Sequence, residues 1–294
     1  MARTPLLARR LFDRIEPVHA VTYFAPEARA ALGGLGYRGF WMGYFAARSA
    51  PFGVVPPDVV TAAFYNFAPE RVAKALPAAW AIASPTEALQ ARETSAVAAL
   101  RRYGVTDEDA AVAADLAARA AASADIGGRT LFAGNRALDW PQRPLARLWH
   151  ATTLLREHRG DGHVAVLTTE GVSGRECNVL HAAAGRVPEE MIKRSRDYDD
   201  ARWKHHRDAL AHRGLLDAAG ALTQTGHELK QRIEDTTDVL ALPVLDVLDD
   251  NDVEALFQAL TPITRKVVAA GDVPAGTPMG LSRDDLDDDS SHLS

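Results

Sequence analysis

From its start to about Gly104 the chain carries short apolar, alanine-rich runs separated by Pro17, Pro26, Pro51, Pro56, Pro57, Pro69, Pro77 and Pro85. Proline fits the first turn of a helix and rarely its interior, so this spacing predicts several short helices with sharp ends. Ser84, Pro85 and Glu87 form a helix start, and Leu89, Val97 and Leu100 then fall near helical intervals. Thr106 caps a second alanine-rich helix over 107–124, with acidic residues in its first turn. The glycines and prolines of 125–144 predict a linker or a long irregular connection. Strand signals are nearly absent.

The pattern changes after Leu145. Leu145, Leu148, Trp149, Thr152, Leu155 and Arg156 predict a helix that breaks or kinks at Arg159-Gly160-Asp161-Gly162. A second helix is expected over 163–170 and a third over 175–184. Trp203, His206, Leu210 and Arg213 repeat at helical spacing over 199–213. Leu215-Leu216 and Ala221-Leu222 then flank a turn in which Gly220 can take a positive φ, predicting a short two-stranded wing. A closing helix from Thr225 to about Leu240 and an amphipathic helix over 253–270 complete the pattern.

The segment WKHHRDALAHRGLLDAAGALTQTG, from Trp203 to Gly226, resembles the recognition helix, wing and following helix start of MarR-type winged-helix proteins. Over a wider span the chain is similar to an actinobacterial helix-turn-helix group sometimes called SalK-like. The matching blocks are RGFWMGYFAARSAPFG, FYNFAP, LWHATTLLREHRGDGHVAVL, the RGLL of Arg213 to Leu216, and IEDTTD, and they span nearly the whole chain. The resemblance implies a fold and a helix-turn-helix character, with no catalytic residue attached. The expected fold class is mainly α. A helical N-terminal domain (1–124) and a linker (125–144) precede a winged helix-turn-helix domain with closing helices (145–270) and a disordered tail (271–294).

Composition narrows the function classes. At 294 residues and 47% hydrophobic content the chain is long enough for two medium domains. Its one cysteine, Cys177, excludes an internal disulfide framework and Cys-x-x-Cys zinc sites. No apolar run is long enough to span a bilayer, and the first dozen residues have three arginines but no apolar signal core. A cytoplasmic protein without a membrane partner is expected. A net charge of −6 supplies no general field for nucleic acid, so DNA binding has to rest on a local patch. The last dozen residues hold five aspartates, three serines and no aromatic residue, which predicts a disordered tail.

Three groups of residues carry candidate chemistry. Arg156, Glu157, His158, Arg159, Asp161 and His163 are the densest ionisable set, and they fit an acid-base or ligand site, or a polar hinge of paired charges. His158 and His163 are five apart, which a straight helix does not bring to one face, so no metal site and no cofactor are assigned. Trp41, Tyr44, Phe45 and Arg48 share one helical face, which fits either core packing or a wall for a planar acidic ligand. Arg48 among apolar neighbours needs a carboxylate, with Asp161 or Glu157 the internal choices. Tyr65 and Asn66 read as turn chemistry.

The third group is basic: Lys193, Arg194, Arg196, Arg202, Lys204, Arg207 and Arg213, with His205 beside them. Arg202, Lys204, His205 and Arg207 are the candidate DNA contacts. Asp197, Asp199 and Asp200 at the same helix start stabilise its dipole but repel phosphates. No phosphate-cradling glycine loop, nucleophile elbow or dinucleotide fold is present. Two function classes stay open: a ligand-responsive DNA-binding protein, with a homodimer a possible state, or a small-molecule enzyme of specialised or stress metabolism built on the cluster from Arg156 to His163.

Overall fold

The computed structural model describes residues 3–274, 283 and 285–293. Fourteen α-helices occur among them: α1 (Pro5–Phe24), α2 (Pro26–Gly34), α3 (Gly39–Ser49), α4 (Pro57–Phe64), α5 (Pro69–Trp80), α6 (Pro85–Arg102), α7 (Asp107–Ser123), α8 (Thr130–Arg136), α9 (Pro144–Thr169), α10 (Gly174–Ala183), α11 (Glu189–Arg196), α12 (Asp200–His212), α13 (Gln224–Ala241) and α14 (Asp250–Ala270). No helix among the described residues is long and apolar enough to cross a membrane.

Prolines open six of these helices, where their missing amide proton costs no bond. Ser84, Thr106 and Ser173 each close a capping box with the acidic residue three positions on. Pro17 and Pro77, expected at ends, instead lie inside α1 and α5. For Pro17 the reason is tertiary: α1 is packed by α6, α9, α13 and α14, and this burial outweighs a lost hydrogen bond.

The main core joins α1, α6, α7, α9 and α14 through Leu11, Val18, Leu100, Leu116, Leu148, Trp149, Leu154, Leu256 and Phe257. The first half of α9 and all of α14 therefore pack with the N-terminal helices. A separate core starts only at Val166 and unites Leu180, Ile192, Trp203, Leu210, Leu216, Leu229 and Ile233 of α9 to α13. A third, aromatic cluster holds Phe45, Phe64 and Phe67 with Leu76 and Leu131. Leu131 and Phe132 belong to α8, so the segment read as a connection carries a packed helix.

α9 runs unbroken through the glycines at which a break was expected. Gly162 makes room instead: a Cβ there would lie 2.7 Å from Nη1 of Arg129, which donates to the His158 carbonyl. Packing of α9 against α1, α7, α8 and α13 offsets the cost of two mid-helix glycines, about 1 kcal/mol each.

Downstream, α11 and α12 are joined by a three-residue turn in which Asp197 is left-handed (φ 54°) and Asp199 caps α12 through its side chain. Where a two-stranded wing was expected, the described residues hold one isolated antiparallel bridge, Leu216 to Leu222, closed by the Asp217 amide donating to the Ala221 carbonyl at 2.9 Å. Gly226 is required beside it, because a Cβ would stand 2.2 Å from the Leu215 carbonyl oxygen.

Tyr65 and Asn66 do more than turn the chain. The Tyr65 hydroxyl donates to the Val172 carbonyl at 2.7 Å, and Asn178 donates to the Asn66 carbonyl at 2.9 Å. This dipeptide seats the helix-turn-helix segment on the N-terminal helices.

The aspartate-rich tail also departs from expectation where it is described. Asp285 accepts from Arg10 and Arg14, and the fully buried Arg14 lies over the Phe257 ring at 4.9 Å. Two desolvated arginines on α1 hold this segment, a pairing that tail composition does not reveal. The rest of the tail expectation, at 275–282, 284 and 294, lies outside the described residues.

Candidate ligand cavity and helix-turn-helix face

A cavity of about 420 Å³ opens where α1, α3, α9, α11 and α13 meet. One wall is aromatic. Residues 41, 44 and 45 project from α3 at helical spacing: Phe45 goes into the core, while Trp41 and Tyr44 stay half-buried and line the cavity with Phe40, Phe64 and Phe67. Their rings meet mostly edge to face, Trp41 against Phe67 at 5.7 Å and Trp41 against Tyr44 at 5.6 Å.

Adjoining the aromatic wall is a buried ion network. Arg48 donates to both Glu157 oxygens at 3.3 and 3.2 Å and to the Tyr44 hydroxyl at 2.9 Å, with its guanidinium 4.3 Å from the Phe64 ring. Arg156 donates to Glu157 at 2.7 Å and to Glu16 at 2.9 Å. Two cations and two carboxylates thus balance in a site where an unpaired charge would be costly. Burial pushes against ionisation of Glu157, but Arg156 and Arg48 hold its carboxyl down to about 2. Burial raises Glu16, with Arg156 opposing. Beside them Tyr23, His19 and Thr153 form a chain, with 3.0 Å between Tyr23 and His19 and 2.9 Å between His19 and Thr153. Burial holds His19 neutral, well below its ordinary range.

The remaining members of the cluster diverge. Asp161 lines the cavity, yet its Oδ2 accepts the Phe132 amide at 2.8 Å and so caps α8, which has no capping side chain of its own. Burial raises its carboxyl to about 6. His158 faces away from the cavity, edge-on to Phe132 at 5.1 Å, and burial lowers it to about 3. His163 stays in the cavity lining, bonds Thr237 at 3.0 Å and is lowered by burial to about 4. The two histidines point apart, as their five-residue spacing on one continuous helix requires. Arg159 turns to α13, donating to Asp238 at 2.8 Å and Glu234 at 3.2 Å, and Arg9 of α1 binds the same two carboxylates. The IEDTTD block is therefore an ion-pair clasp among α1, α9 and α13.

Arg196 was grouped with the basic residues of the candidate DNA face, but it lines the cavity, 4.2 Å over the Phe67 ring. Sequence reasoning also passed over Glu16, Tyr23 and Glu234. An ionisable residue inside an apolar run of α1, such as Glu16, was the available signal for the first.

On α12, Trp203 and Leu210 point into the smaller core, leaving Arg202, Lys204 and His205 exposed and Arg207 half-buried beside the Gly220 turn. Lys204 pairs with Asp208, and Arg202 reaches Asp199 at 3.6 Å and Glu70 at 3.8 Å. All are surface pairs of small energy, which leaves the side chains available for exchange.

The family model described as "Helix-turn-helix family" matches residues 8–274. The chain belongs to this helix-turn-helix family. No curated protein and no solved structure matches it. The family match covers the cavity as well as the helix-turn-helix segment, so this family member holds the aromatic wall, the ion network and α10 to α13 within one matched unit.

Proposed function

We propose that this helix-turn-helix family protein is a ligand-responsive DNA-binding protein in which the cavity receives a small molecule and α12 meets the duplex. The observation that carries the reading is that Met191, Ser195 and Arg196 of α11 form part of the cavity wall. A molecule bound there touches the helix directly before the turn that sets the position of α12. Differential contact with two positions of α11 is what a ligand needs to shift DNA affinity. Family membership and the exposed Arg202, Lys204 and His205 support the DNA half of the reading. In this reading Trp41, Tyr44, Arg48, Arg156, Glu157, Asp161 and His163 shape the ligand chamber, while His158 packs behind it against α8.

Fluorescence anisotropy with a pooled duplex library across a salt series tests the DNA half. Changing Lys204 and Arg207 to alanine should weaken binding and lower the log-log salt slope by about one to two units. Absence of binding by the unmodified protein at low salt would overturn it.

A second reading, chemistry on the bound molecule, is favoured by the chain from Tyr23 to His19 and Thr153, which opens on the cavity and could carry a proton. Turnover abolished by Tyr23→Phe with ligand affinity retained would establish it in place of the first.

A further inference from the structure

The arginines around the cavity differ in whether they have an anion. Arg48 and Arg156 are balanced by Glu157 and Glu16, Arg159 by Asp238 and Glu234, and Arg71 by Asp197. Arg196 has no carboxylate within salt-bridge distance among the described residues. Its side chain makes one long hydrogen bond, to the Ser195 carbonyl at 3.4 Å, and its Nε is buried without a partner. Its charged neighbours include two further cations, Arg48 and Arg71, and burial lowers it to about 10. A half-buried guanidinium whose Nε is shut off from water without a partner is held at a cost that an anion would reduce.

Resting on the ligand-responsive reading, we propose that the cavity takes a planar aromatic carboxylic acid, with the Arg196 guanidinium as the anchor for its carboxylate. The shape of the site supports the aromatic part. Trp41, Tyr44 and Phe67 present rings around the guanidinium, with Phe67 at 4.2 Å and Trp41 at 5.8 Å from it, and about 420 Å³ is the size of pockets that hold small organic ligands. The donor set supports the carboxylate. A single planar fork matches the two oxygens of a carboxylate, whereas a phosphate dianion calls for more than one uncommitted cation. The other carboxylates in the lining are engaged: Glu157 and Glu234 by arginines, Asp161 by the Phe132 amide.

The anchor also explains how the ligand reaches α12. Arg196 is the last residue of α11, Asp197 follows in the left-handed conformation, and Asp199 caps α12. Arg175 donates to the carbonyls of both Arg196 and Asp197, and Arg71 pairs with the Asp197 carboxylate, so the turn is already held by two arginines. A carboxylate on the Arg196 side chain adds a contact from within the cavity.

The test uses the full chain with 1-naphthoic acid and indole-3-carboxylic acid, each paired with its primary amide, read by calorimetric titration and by quenching of tryptophan fluorescence. At least one acid should bind about tenfold or more tighter than its amide, as expected for a hydrogen-bonded charge pair. Arg196→Gln should cut that preference below about twofold while amide affinity stays, and Arg196→Lys should keep part of it. The unliganded Arg196→Gln protein should melt no lower than the unmodified one, since it loses an uncompensated cation; a clear drop would mean that Arg196 is structural. Equal binding of acid and amide would overturn the anchor and leave the ligand chamber standing. Binding of neither pair would overturn the proposal, and loss of binding by naphthalene as well would remove the chamber.

Discussion

Arg48 and Glu157 face each other across 109 residues of chain, Nε donating to one carboxylate oxygen at 3.3 Å and Nη2 to the other at 3.2 Å, with Glu157 almost wholly buried. The pair ties α3, which carries the aromatic wall, to α9, which carries the ion network. Its energetic weight lies less in the attraction than in what is left if one partner goes. Arg48→Ala should destabilise the fold by about 3 kcal/mol, because Glu157 then depends on Arg156 alone. Urea unfolding checks this. Replacing both residues by methionine should cost less than the single change, and a larger cost for the double variant would show that the pair stabilises outright.

Histidines held below their ordinary range by desolvation, His19 among them, make stability depend on pH. Burial holds His150 and His163 at about 4, and His158 and His181 at about 3, against an ordinary 6.5. The unfolded chain therefore takes up protons below pH 6.5 that the native protein refuses until about pH 4. Stability must fall as pH drops through that window, by up to about 2 kcal/mol per histidine at pH 5. Asp161 acts the other way, since its carboxyl is raised to about 6 and protonation on acidification favours the native state. Melting temperature should decline from pH 7 to pH 5, and His158→Phe should flatten the decline. A profile unchanged by that substitution would place the effect elsewhere.

The two glycines of α9 should respond differently to alanine. At Gly160 the nearest atoms to an added Cβ are ordinary contacts at 3.6 and 3.7 Å, so Gly160→Ala should gain about 0.5 to 1 kcal/mol of helix stability. At Gly162 the Cβ would push aside Arg129, which bonds the carbonyls of His158 and Leu240. Gly162→Ala should lose about 1 kcal/mol or more. Opposite signs in thermal melts are the expected outcome.

The two α9 glycines also mark the limit of what the sequence makes legible. Capping at Ser84 and Thr106, the α12 repeat and the need of Arg48 for a carboxylate all follow from neighbours in sequence or from one elementary cost. The fate of Gly160 and Gly162 depends on Arg129 and on the helices packed around α9, none of which periodicity can supply. Arg196 sits in a basic stretch that suggested phosphate contacts, yet burial turns it inward, and only the tertiary structure says so. The described part of the tail was misread for the same reason, because its partners Arg10 and Arg14 lie at the other end of the chain.

Truncation after residue 282 should therefore be felt in the fold. It removes Asp285 and leaves Arg10 and Arg14 on α1 with fewer anions, and Arg14 is fully buried. A loss of about 2 kcal/mol is expected, with Asp285→Asn giving a large share of it. Unchanged stability in both variants would show that the pairs are screened to little effect.

The junction at Gly174 gives the most local test of how the helix-turn-helix segment is seated. Gly174 is the first residue of α10, just after the capping serine Ser173, and a Cβ there would stand 2.0 Å from the Tyr65 carbonyl oxygen and 2.6 Å from its carbon. These are backbone atoms, so no side chain can swing aside. Neither strand of the contact is free to retreat: Tyr65 has a positive φ of 55°, its hydroxyl holds the Val172 carbonyl, and Asn178 holds the Asn66 carbonyl. Gly171 and Gly185 have positive φ but nothing near an added Cβ, so alanine there should cost about 1 kcal/mol from conformation alone. Gly174→Ala should cost about 3 kcal/mol or more, at the upper end for overpacking. Because the strain falls on the contact between the N-terminal helices and α10, the variant should also expose the chain near Tyr65 and Gly171 to limited proteolysis and weaken any ligand bound in the cavity, whose wall includes Tyr65 and Asn66. Equal stability of Gly174→Ala and Gly171→Ala would mean that the two parts can separate without cost, and the cavity between them would then lose its role in coupling ligand to α12.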